Sequence, residues 1–280
     1  MEKLNFKTYL EELKKYSRYN FCGYSENSIY RRLEKVLTDK RISLEELLDI
    51  TKKDQKFVDN LVDEITVNTT DLFRDPDTWV YLYNHLYKKL ISKDTINVWH
   101  AGCSTGQEVY SSLILFNELG VLDKVNVIAT DLNSKVLKAA QNGEYSYKIN
   151  KLYSKSYKDL FDRINPDGND FSHYFDVDID NDLIKVKDFL RKVPKYKRHD
   201  LVEEDIPFYQ KFDVIFCRNV MIYFDGDLQL NVVRKFFDKM NGGASLILGS
   251  HESLHGFFKT RFTKKGLVYT KTNTFHYKYK

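Results

Sequence analysis

Small residues that follow a β-rich segment near residue 100 could hold a nucleoside. The segment from Ile96 to His100 leads into a loop with Gly102, Ser104 and Gly106, and a helical pattern follows. Small side chains let backbone amides approach a ligand, and a helix N-terminus favours an anionic group. Serine replaces the middle glycine of a dinucleotide loop, which disfavours a pyrophosphate and is compatible with S-adenosylmethionine. A purely structural α/β turn stays open as the alternative, because glycine pairs after strands are common.

A carboxylate at the end of the next β-rich segment strengthens the nucleoside interpretation. Residues Val125 to Thr130 form a second predicted strand, and Asp131 follows it directly. A carboxylate has two acceptor oxygens in one plane, so Asp131 is placed to accept both ribose hydroxyls. Strand, small-residue loop, helix, strand and acid together make a nucleoside-binding arrangement.

A further apolar strand, from Phe212 to Cys217, ends in residues that could bind a ligand: Arg218, Asn219 and Tyr223. A helical pattern follows, and Asn241 to Gly243 then turns into a strand from Ala244 to Leu248. Ligands of open α/β sheets bind beyond the carboxyl ends of the strands, so we expect these side chains to face the crevice of the glycine loop. The alternative is that Tyr223 only packs beneath the following helix.

The sequence pattern of the first 90 residues predicts helices, which we expect to position the strands and helices that follow. Apolar side chains recur at helical spacing from Ile29 to Leu37, and Ser43 to Glu46 form a capping box before the next helix. A polar loop from Asn68 to Arg74 interrupts the helices, and Asp75 and Pro76 then give an N-cap and a first helical position. We predict an α-helical N-terminal domain over 1–90 and an α/β domain over 91–280.

Composition restricts the class of protein. The chain has 280 residues, 42% of them hydrophobic and 30% charged, which is typical of a globular protein. No apolar run reaches the roughly 20 residues of a membrane helix, and the first residues lack an apolar signal core, so a cytoplasmic protein without membrane insertion is expected. Three widely spaced cysteines give neither a disulfide framework nor a zinc spacing. The net charge of +4 is too small to indicate nucleic acid but suits an acidic partner.

The motifs occur in the order and spacing of the CheR chemotaxis methyltransferases, which the chain resembles over nearly its whole length. The matching strings are Asn68–Arg74 (NTTDLFR), Ala101–Ser111 (AGCSTGQEVYS), Ala129–Asp131 (ATD), Cys217–Phe224 (CRNVMIYF) and Gly249–Ser253 (GSHES). The string at 217–224 is highly specific to that family. The stretch from Tyr24 to Arg41 looks like the basic N-terminal helices of the family.

The resemblance implies a fold, an activity and a partner. The fold is α/β: a class I S-adenosylmethionine-dependent methyltransferase (Rossmann-like) domain with a small antiparallel β insert at about 172–192, preceded by the helical domain. The activity is methyl transfer from S-adenosylmethionine, which leaves S-adenosylhomocysteine, to glutamate side chains of chemoreceptor cytoplasmic domains. A monomer without a metal ion is expected.

Carried over position by position, the resemblance assigns residues to the cofactor and to catalysis. The cofactor would be held by Asn68, Thr70, Arg74, Gly102, Glu108, Asp131, Asp200, Leu201, Arg218 and Asn219. Arg74 and Tyr223 are the expected catalytic residues, which position the substrate, although Arg74 could instead hold the carboxylate of the cofactor. Asp200 stands where the family usually has asparagine. A carboxylate accepts the adenine amino hydrogens but cannot donate to a ring nitrogen.

Esterification of a glutamate needs little acid–base chemistry from the enzyme. The side chain has a reference pKa of about 4.3, so at neutral pH it is already the nucleophile. No general base is required, and in-line positioning can supply up to about 7–11 kcal/mol. Cys103 is not needed as a nucleophile either, so its thiol is expected to pack.

Two other classes of protein stay as alternatives. One is a nucleic-acid methyltransferase, for which the basic run 185–198 could contact phosphate, but the Pro-Pro-aromatic and Pro-Cys motifs of such enzymes do not occur. The other is a non-catalytic module of the same fold that binds S-adenosylmethionine as a signal. Intact Arg74, Asp131, Asn219 and Tyr223 favour the enzyme.

The predicted insert bears on how the receptor is found. Some members of the family dock on a peptide at the C-terminal end of the receptor, adding it as a strand beside a glycine-bearing turn. Here the stretch between Phe175 and Leu183 carries four aspartates and no glycine. We therefore expect independence of such a tether, with an acidic receptor recognised by the basic helix that contains Arg31, Arg32 and Lys35.

Overall fold

The computed structural model describes residues 4–66 and 68–272 of the chain. Its strands are β1 (Ile96–Ala101), β2 (Val125–Asp131), β3 (Glu144–Ser146), β4 (Phe175–Asp178), β5 (Leu183–Val186), β6 (Lys195–Arg198), β7 (Phe212–Cys217), β8 (Met240–Leu248), β9 (Phe262–Lys265) and β10 (Val268–Lys271). Seven strands form one sheet in the order β6-β2-β1-β7-β8-β10-β9, and three form a second sheet in the order β3-β5-β4.

The large sheet brings the ends of three strands together. β1 pairs in parallel with β2 and β7, and β6 and β8 extend the parallel part on either side. β10 runs antiparallel to both β8 and β9. The carboxyl ends of β1, β2 and β7 therefore meet at one edge, where open α/β sheets bind ligands. The predicted α/β fold with a largely parallel sheet is confirmed.

Helices cover the large sheet and form the N-terminal part. The α-helices are α1 (Phe6–Tyr16), α2 (Glu26–Lys40), α3 (Leu44–Lys53), α4 (Gln55–Ile65), α5 (Pro76–Tyr81), α6 (Lys88–Leu90), α7 (Gln107–Glu118), α8 (Ser134–Asn142), α9 (Tyr147–Asn150), α10 (Tyr153–Ile164), α11 (Phe171–Tyr174), α12 (Asp188–Arg191) and α13 (Gly226–Lys239). A π-helical segment, Leu82–Tyr87, joins α5 to α6, and 3-10 turns occur at Leu122–Lys124, Met221–Tyr223 and Gly256–Thr260. Within the described ranges, no helix is both long and apolar enough to cross a membrane.

The large sheet separates two apolar cores. On one face, Phe216 of β7 packs with α5 and α7, and its ring stacks on that of Trp79. On the other face, Trp99 of β1 packs with Phe236 of α13, edge to face. Successive strand residues point to opposite faces, so a strand that is covered on both faces buries every one of its side chains. This explains why all six residues of β7 are buried.

The N-terminal helices α1–α4 bury an apolar core of their own, which includes Leu33 and Val58. The predicted capping box is confirmed at the start of α3. Ser43 Oγ accepts from Glu46 N, and the Glu46 carboxylate accepts from Ser43 N. The helices over 76–90 pack in the core of the large sheet instead, for example through Trp79. The domain boundary at residue 90 stays a prediction.

The small sheet is antiparallel, as predicted, but one of its strands comes from outside the predicted insert. β4 and β5 lie within 172–192, whereas β3 pairs with β5 from residues 144–146. A strand of three residues has no alternating pattern that would reveal it in the sequence. The insert between β2 and β6 therefore begins earlier than predicted.

Strand β8 also begins earlier than predicted. It starts at Met240, so the turn expected over 241–243 lies inside the strand. Met240 pairs with Phe212, but Ser245 pairs with Val214, so extra residues bulge out between these two positions. Gly243 has a φ of +73°, which only glycine adopts readily, and it allows this irregularity.

Candidate active site

A cavity opens at the carboxyl ends of β1, β2 and β7. The space between its walls is about 1100 Å³ when the mouth, which is open to solvent, is included. The structure brings all the sequence-predicted site residues to its lining: Asn68, Thr70, Arg74, Gly102, Glu108, Asp131, Asp200, Leu201, Arg218, Asn219 and Tyr223.

The loop after β1 forms one wall of the cavity. Gly102 has a φ of +80°, and a Cβ atom there would lie 2.4 Å from Cγ2 of Val220, so only glycine fits. The amides of Gly102 and Cys103 both donate to Thr130 O, at 2.8 and 2.9 Å, which fixes the loop against β2. Ser104 also lines the cavity, and its buried hydroxyl has no hydrogen-bond partner within the described ranges. This wall fits a polar ligand that approaches the backbone closely.

Asp131 ends β2 with both carboxylate oxygens held by backbone amides. Ser104 N donates to Oδ2 at 2.8 Å, and Asn133 N donates to Oδ1 at 2.9 Å. Burial raises the pKa of Asp131, and the amide bonds oppose the rise because they stabilise the ionised form. Each oxygen keeps a second acceptor site, so the carboxylate fits a pair of ribose hydroxyls.

The polar loop before α5 carries Arg74 to the cavity. Leu72 and Phe73 anchor this loop in the core, and Phe73 N donates to Ser111 Oγ at 2.9 Å. Phe73 has a φ of +54°, a costly conformation for a residue other than glycine, which the anchoring maintains. Arg74 then reaches Asn219, with Nη1 3.3 Å from Oδ1.

A buried arginine joins three parts of the site. Arg218 follows β7, and its side chain is only 2% exposed. Nη1 donates to Glu108 Oε2 at 3.0 Å, and Nη2 donates to Asp75 Oδ2 at 2.7 Å and to Arg74 O at 3.0 Å. Asp75 occupies the predicted N-cap position of α5, but its carboxylate binds Arg218 and does not cap the helix. Arg218 thus lines the cavity mainly as a fixed part of its wall.

Glu108 is held ionised at the start of α7. Its carboxylate lies 3.0 Å from His100 Nδ1 as well as from Arg218. Burial raises the pKa of Glu108, but the bond with His100 and the charge of Arg218 outweigh burial, so the pKa lies below its ordinary value. The His100 ring is fixed in turn by stacking on Phe216, with centroids 4.3 Å apart. A negative charge at this wall suits a cationic group of a ligand.

Glu252 is a buried site residue that sequence analysis did not single out. It follows β8 and accepts hydrogen bonds from the amides of Asn219, Val220 and Ile222, at 2.9, 2.9 and 3.2 Å. Asn219 has a φ of +59°, so Glu252 holds a strained turn in place. The signal that could have revealed it is its place in the string Gly249–Ser253, four residues beyond the end of β8.

Asp200, which was predicted to line the cofactor pocket, stabilises the turn after β6. Its Oδ1 accepts from Val202 N at 2.8 Å and from Glu203 N at 3.4 Å. An asparagine oxygen would accept the same bonds, so the turn tolerates either residue. Burial raises the pKa of Asp200, and the backbone bonds oppose the rise. Leu201 is buried beside it and adds apolar surface to this end of the cavity.

Tyr223 lies in the 3-10 turn that follows Asn219. Its side chain is half-buried, and burial raises the pKa of the hydroxyl against the opposing charges of Arg32 and Arg74. Both arginines also line the cavity. This end therefore combines a neutral phenol with two cations.

Two cysteines, Cys103 and Cys217, lie at or near the cavity, and both are buried. Burial raises the pKa of the thiols of Cys103 and Cys217 well above the ordinary value, which keeps them protonated. The packing expected for Cys103 agrees with its burial. In the described parts of the chain, no three His, Cys, Asp or Glu side chains are grouped so that they could hold a metal ion.

Replacing Arg218 with methionine should destabilise the protein strongly. The change leaves the carboxylates of Glu108 and Asp75 without their cation, and breaking a buried ion pair in this way costs about 3–5 kcal/mol. The measurement is the free energy of unfolding in urea. Arg234→Met, at an exposed position of α13, is the matched control, and its change should stay below about 0.5 kcal/mol. Equally small losses in both variants would contradict the role given to Arg218.

Comparison with known proteins identifies related sequences. The family model described as CheR methyltransferase, SAM binding domain, matches residues 68–269. A Pseudomonas putida protein named Cher3 is 32% identical over 241 residues, which are 86% of this chain and 85% of that protein. The chemotaxis protein methyltransferase of Borreliella burgdorferi is 32% identical over 210 residues, 70% of this chain and 68% of that protein. That of Listeria innocua is 29% identical over 236 residues, 82% of this chain and 83% of that protein.

The matched residues include the strands that meet at the cavity and the loop that carries Arg74. Three features fit the S-adenosylmethionine that the family model names. They are the cavity wall formed by the loop with Gly102, the Ser104 hydroxyl without a partner in the described ranges, and the carboxylate of Asp131. S-Adenosylmethionine is therefore the cofactor, methyl transfer is the activity, and the fold is that of the class I methyltransferases. The chain belongs to the CheR methyltransferase family.

Proposed function

We propose that this enzyme transfers a methyl group to glutamate side chains of chemoreceptor cytoplasmic domains and forms methyl esters. The relatives in Borreliella burgdorferi and Listeria innocua carry the name chemotaxis protein methyltransferase. The observation that carries the proposal is the cationic end of the cavity, where Arg32 and Arg74 lie beside Tyr223 and their charges act on its phenol. Such an end favours an anionic substrate side chain.

The residues that would hold the cofactor follow from their surroundings. Asp131 would accept the ribose hydroxyls, Asp200 and Leu201 would border the adenine, and Glu108 would face the ammonium group. The remaining assigned residues, Asn68, Thr70, Gly102, Arg218 and Asn219, would shape the rest of the pocket. When bound, S-adenosylmethionine supplies the methyl group, and the electrons of the broken carbon–sulfur bond stay on its sulfur.

Arg74 and Tyr223 are proposed to position the substrate carboxylate. Arg74 makes one side-chain hydrogen bond, to Asn219, and no ion pair within the described residues, so most of its donors stay available. A planar guanidinium can orient a carboxylate through two parallel hydrogen bonds. The phenol of Tyr223 stays protonated at neutral pH and can donate one more. Together they would fix the direction from which the carboxylate oxygen attacks the methyl carbon.

No residue is required to remove a proton from the substrate. A glutamate with a reference pKa of about 4.3 is already ionised at neutral pH. The two histidines of the cavity region are bonded to carboxylates, His100 to Glu108 and His199 to Glu204. Positioning the reacting atoms is the main task left to the protein.

The two alternative classes find less support in the structure. Five of the seven basic side chains over 185–198 form ion pairs, which leaves little charge for a nucleic-acid backbone: Lys185, Lys187, Arg191, Lys192 and Arg198. A module that only senses S-adenosylmethionine would not need the available donors of Arg74 or the phenol of Tyr223 beside them. Turnover with a receptor domain distinguishes the enzyme from such a module.

Helix α2 is the proposed receptor-docking element. Arg31 is exposed and Arg32 lines the cavity, and neither forms an ion pair within the described residues. Lys35, one turn further, is paired with Asp39. The unpaired charges thus lie at the cavity mouth, where they would attract an acidic receptor helix. Enzyme and receptor domain would meet in the cytoplasm, with the enzyme as a monomer.

The turn of the insert supports independence of a receptor tail. Asp178 accepts hydrogen bonds from both Asn181 N and Asn181 Nδ2, and Asp182 accepts from Ser146 Oγ and Lys148 N. These bonds lower the pKa of both aspartates, so they are ionised at neutral pH. The turn between β4 and β5 is therefore closed and negatively charged. It would repel a peptide that ends in a carboxylate.

Label from methyl-labelled S-adenosylmethionine should enter a receptor signalling domain and leave it as methanol in mild alkali. The reason is that carboxyl esters hydrolyse under these conditions, whereas methylated lysine or arginine does not. Released radioactivity is measured in the volatile fraction. Asp131→Asn serves as the control without cofactor binding, because the charged ribose acceptor is lost. Alkali-stable label would point to an amine acceptor and exclude glutamate.

Tyr223→Phe should lower kcat by about 10- to 100-fold while the affinity for S-adenosylhomocysteine stays nearly unchanged, because a misplaced reacting group costs rate and not cofactor binding. Arg74→Ala should show the same separation if Arg74 positions the substrate. Calorimetry and receptor methylation kinetics measure the two quantities. Tyr209→Phe changes a fully exposed tyrosine and should affect neither. A weakened cofactor affinity in Arg74→Ala would assign that arginine to the carboxylate of the cofactor instead.

Removing the last several residues of the receptor should leave its methylation rate unchanged. The rates for intact and truncated receptor should fall together from low to moderate salt, because screening weakens electrostatic docking on α2. Arg31→Glu should slow both reactions, whereas Lys264→Glu on β9 serves as a matched charge reversal away from the cavity. A large loss of rate on truncation alone would overturn tail independence.

A further inference from the structure

A tyrosine from the N-terminal part lines the cavity although no motif points to it. Tyr24 lies just before α2, and its ring packs between Phe21 and Phe224, with centroids 4.8 and 5.0 Å away. Both contacts are edge to face, an arrangement that aromatic rings favour. The ring is therefore held on both sides and has little freedom to turn away from the cavity.

The backbone at Tyr24 is joined to the turn that carries Tyr223. Ser25 N donates to Tyr223 O at 2.8 Å, and Asp225 N donates to Gly23 O at 2.9 Å. These two bonds form an antiparallel bridge centred on Tyr24. The N-terminal helices are thereby fixed to the catalytic turn at the same point at which Tyr24 meets the cavity.

The hydroxyl of Tyr24 is a donor without a partner in the described part of the chain. Across residues 4–66 and 68–272, no side chain or backbone atom forms a hydrogen bond with it. Burial, and after it the charges of Asp200 and Asp131, raise the pKa of the phenol, so it is protonated and can donate. Tyr24 lines the same cavity as Asp131 and Asp200, and its hydroxyl bonds to neither carboxylate, so this donor is available to a ligand atom.

Asp200 lacks a donor on the same side of the cavity. An ionised carboxylate only accepts hydrogen bonds, so Asp200 cannot donate to an adenine ring nitrogen. Oδ1 of Asp200 is already occupied by backbone amides. The adenine would therefore meet one carboxylate with a donor missing, and the Tyr24 hydroxyl is the nearby donor without a partner.

We propose that Tyr24 supplies the hydrogen bond to the adenine that Asp200 cannot donate, and so joins the N-terminal helices to the cofactor. The proposal rests on the cofactor lying between Asp131 and Asp200, as the proposed assignment has it. It does not depend on the methyl acceptor. Tyr24 is a specificity residue for the nucleoside and takes no part in the transfer of the methyl group.

The test is a set of calorimetric titrations with S-adenosylhomocysteine. Tyr24→Phe keeps the ring and its packing but should weaken binding by about 3- to 10-fold, the net effect of one hydrogen bond. In an Asp200→Asn background, where the amide can donate, the same Tyr24→Phe change should weaken binding by less than about 2-fold. Tyr30→Phe, on α2 with its ring against Phe6, is the control and should bind as the wild type does.

Hydrogen exchange gives a second measurement on the same variants. S-Adenosylhomocysteine should slow exchange of the amides of Ser25 and Asp225 in the wild type, because the ligand holds the bridge closed. The slowing should be smaller in Tyr24→Phe. Wild-type affinity in Tyr24→Phe, or an equal loss with and without the Asp200→Asn change, would overturn the proposal. Since only cofactor binding is measured, either result is independent of whether receptor glutamates are methylated.

Discussion

The guanidinium of Arg218 is the interaction on which the rest of the site depends. It lies between the end of β7, the start of α7 and the loop before α5, and it bonds to Glu108, Asp75 and the carbonyl of Arg74. A buried ion pair adds little net stability, because removing its charges from water is costly. Its effect here is to permit one arrangement of the three segments, since any other leaves charges unpaired. The positions of Arg74 and of the cofactor wall follow from that arrangement.

Carboxylates and cations have separate tasks around the cavity. Asp131, Glu252 and Asp200 all accept backbone amides, and each thereby fixes a turn at the end of a strand. Glu108 is held by the buried arginine. Arg32 and Arg74 form no ion pair within the described residues and face the remaining space. Because neither arginine is paired with an acid, both cations stay available at this end of the cavity, where they would suit the proposed carboxylate substrate.

Sequence patterns were sufficient for most of the fold and for the lining of the cavity. Strand β7 and the capping box of α3 are local signals, so spacing revealed them, and the motif residues meet because parallel strands end at one edge. Sequence patterns gave no signal where a strand or a side chain depends on contacts with residues that are distant in sequence. β3 is a strand only because β5 lies beside it, and Asp75 binds Arg218 only because the chain brings them together. Glu252 and Tyr24 were missed for the same reason, since their partners are distant in sequence.

The order of the strands has a consequence for how copies of the protein behave toward one another. β6 and β9 are the two edges of the seven-stranded sheet, and an exposed edge offers unpaired backbone groups to a neighbouring strand. β6 carries Lys195, Lys197 and Arg198, and β9 carries Lys264 and Lys265. Two such edges repel each other, so the sheet is protected against growing from one molecule into the next. The charge that is proposed to attract an acidic receptor at one face thus has a counterpart at the edges that opposes aggregation.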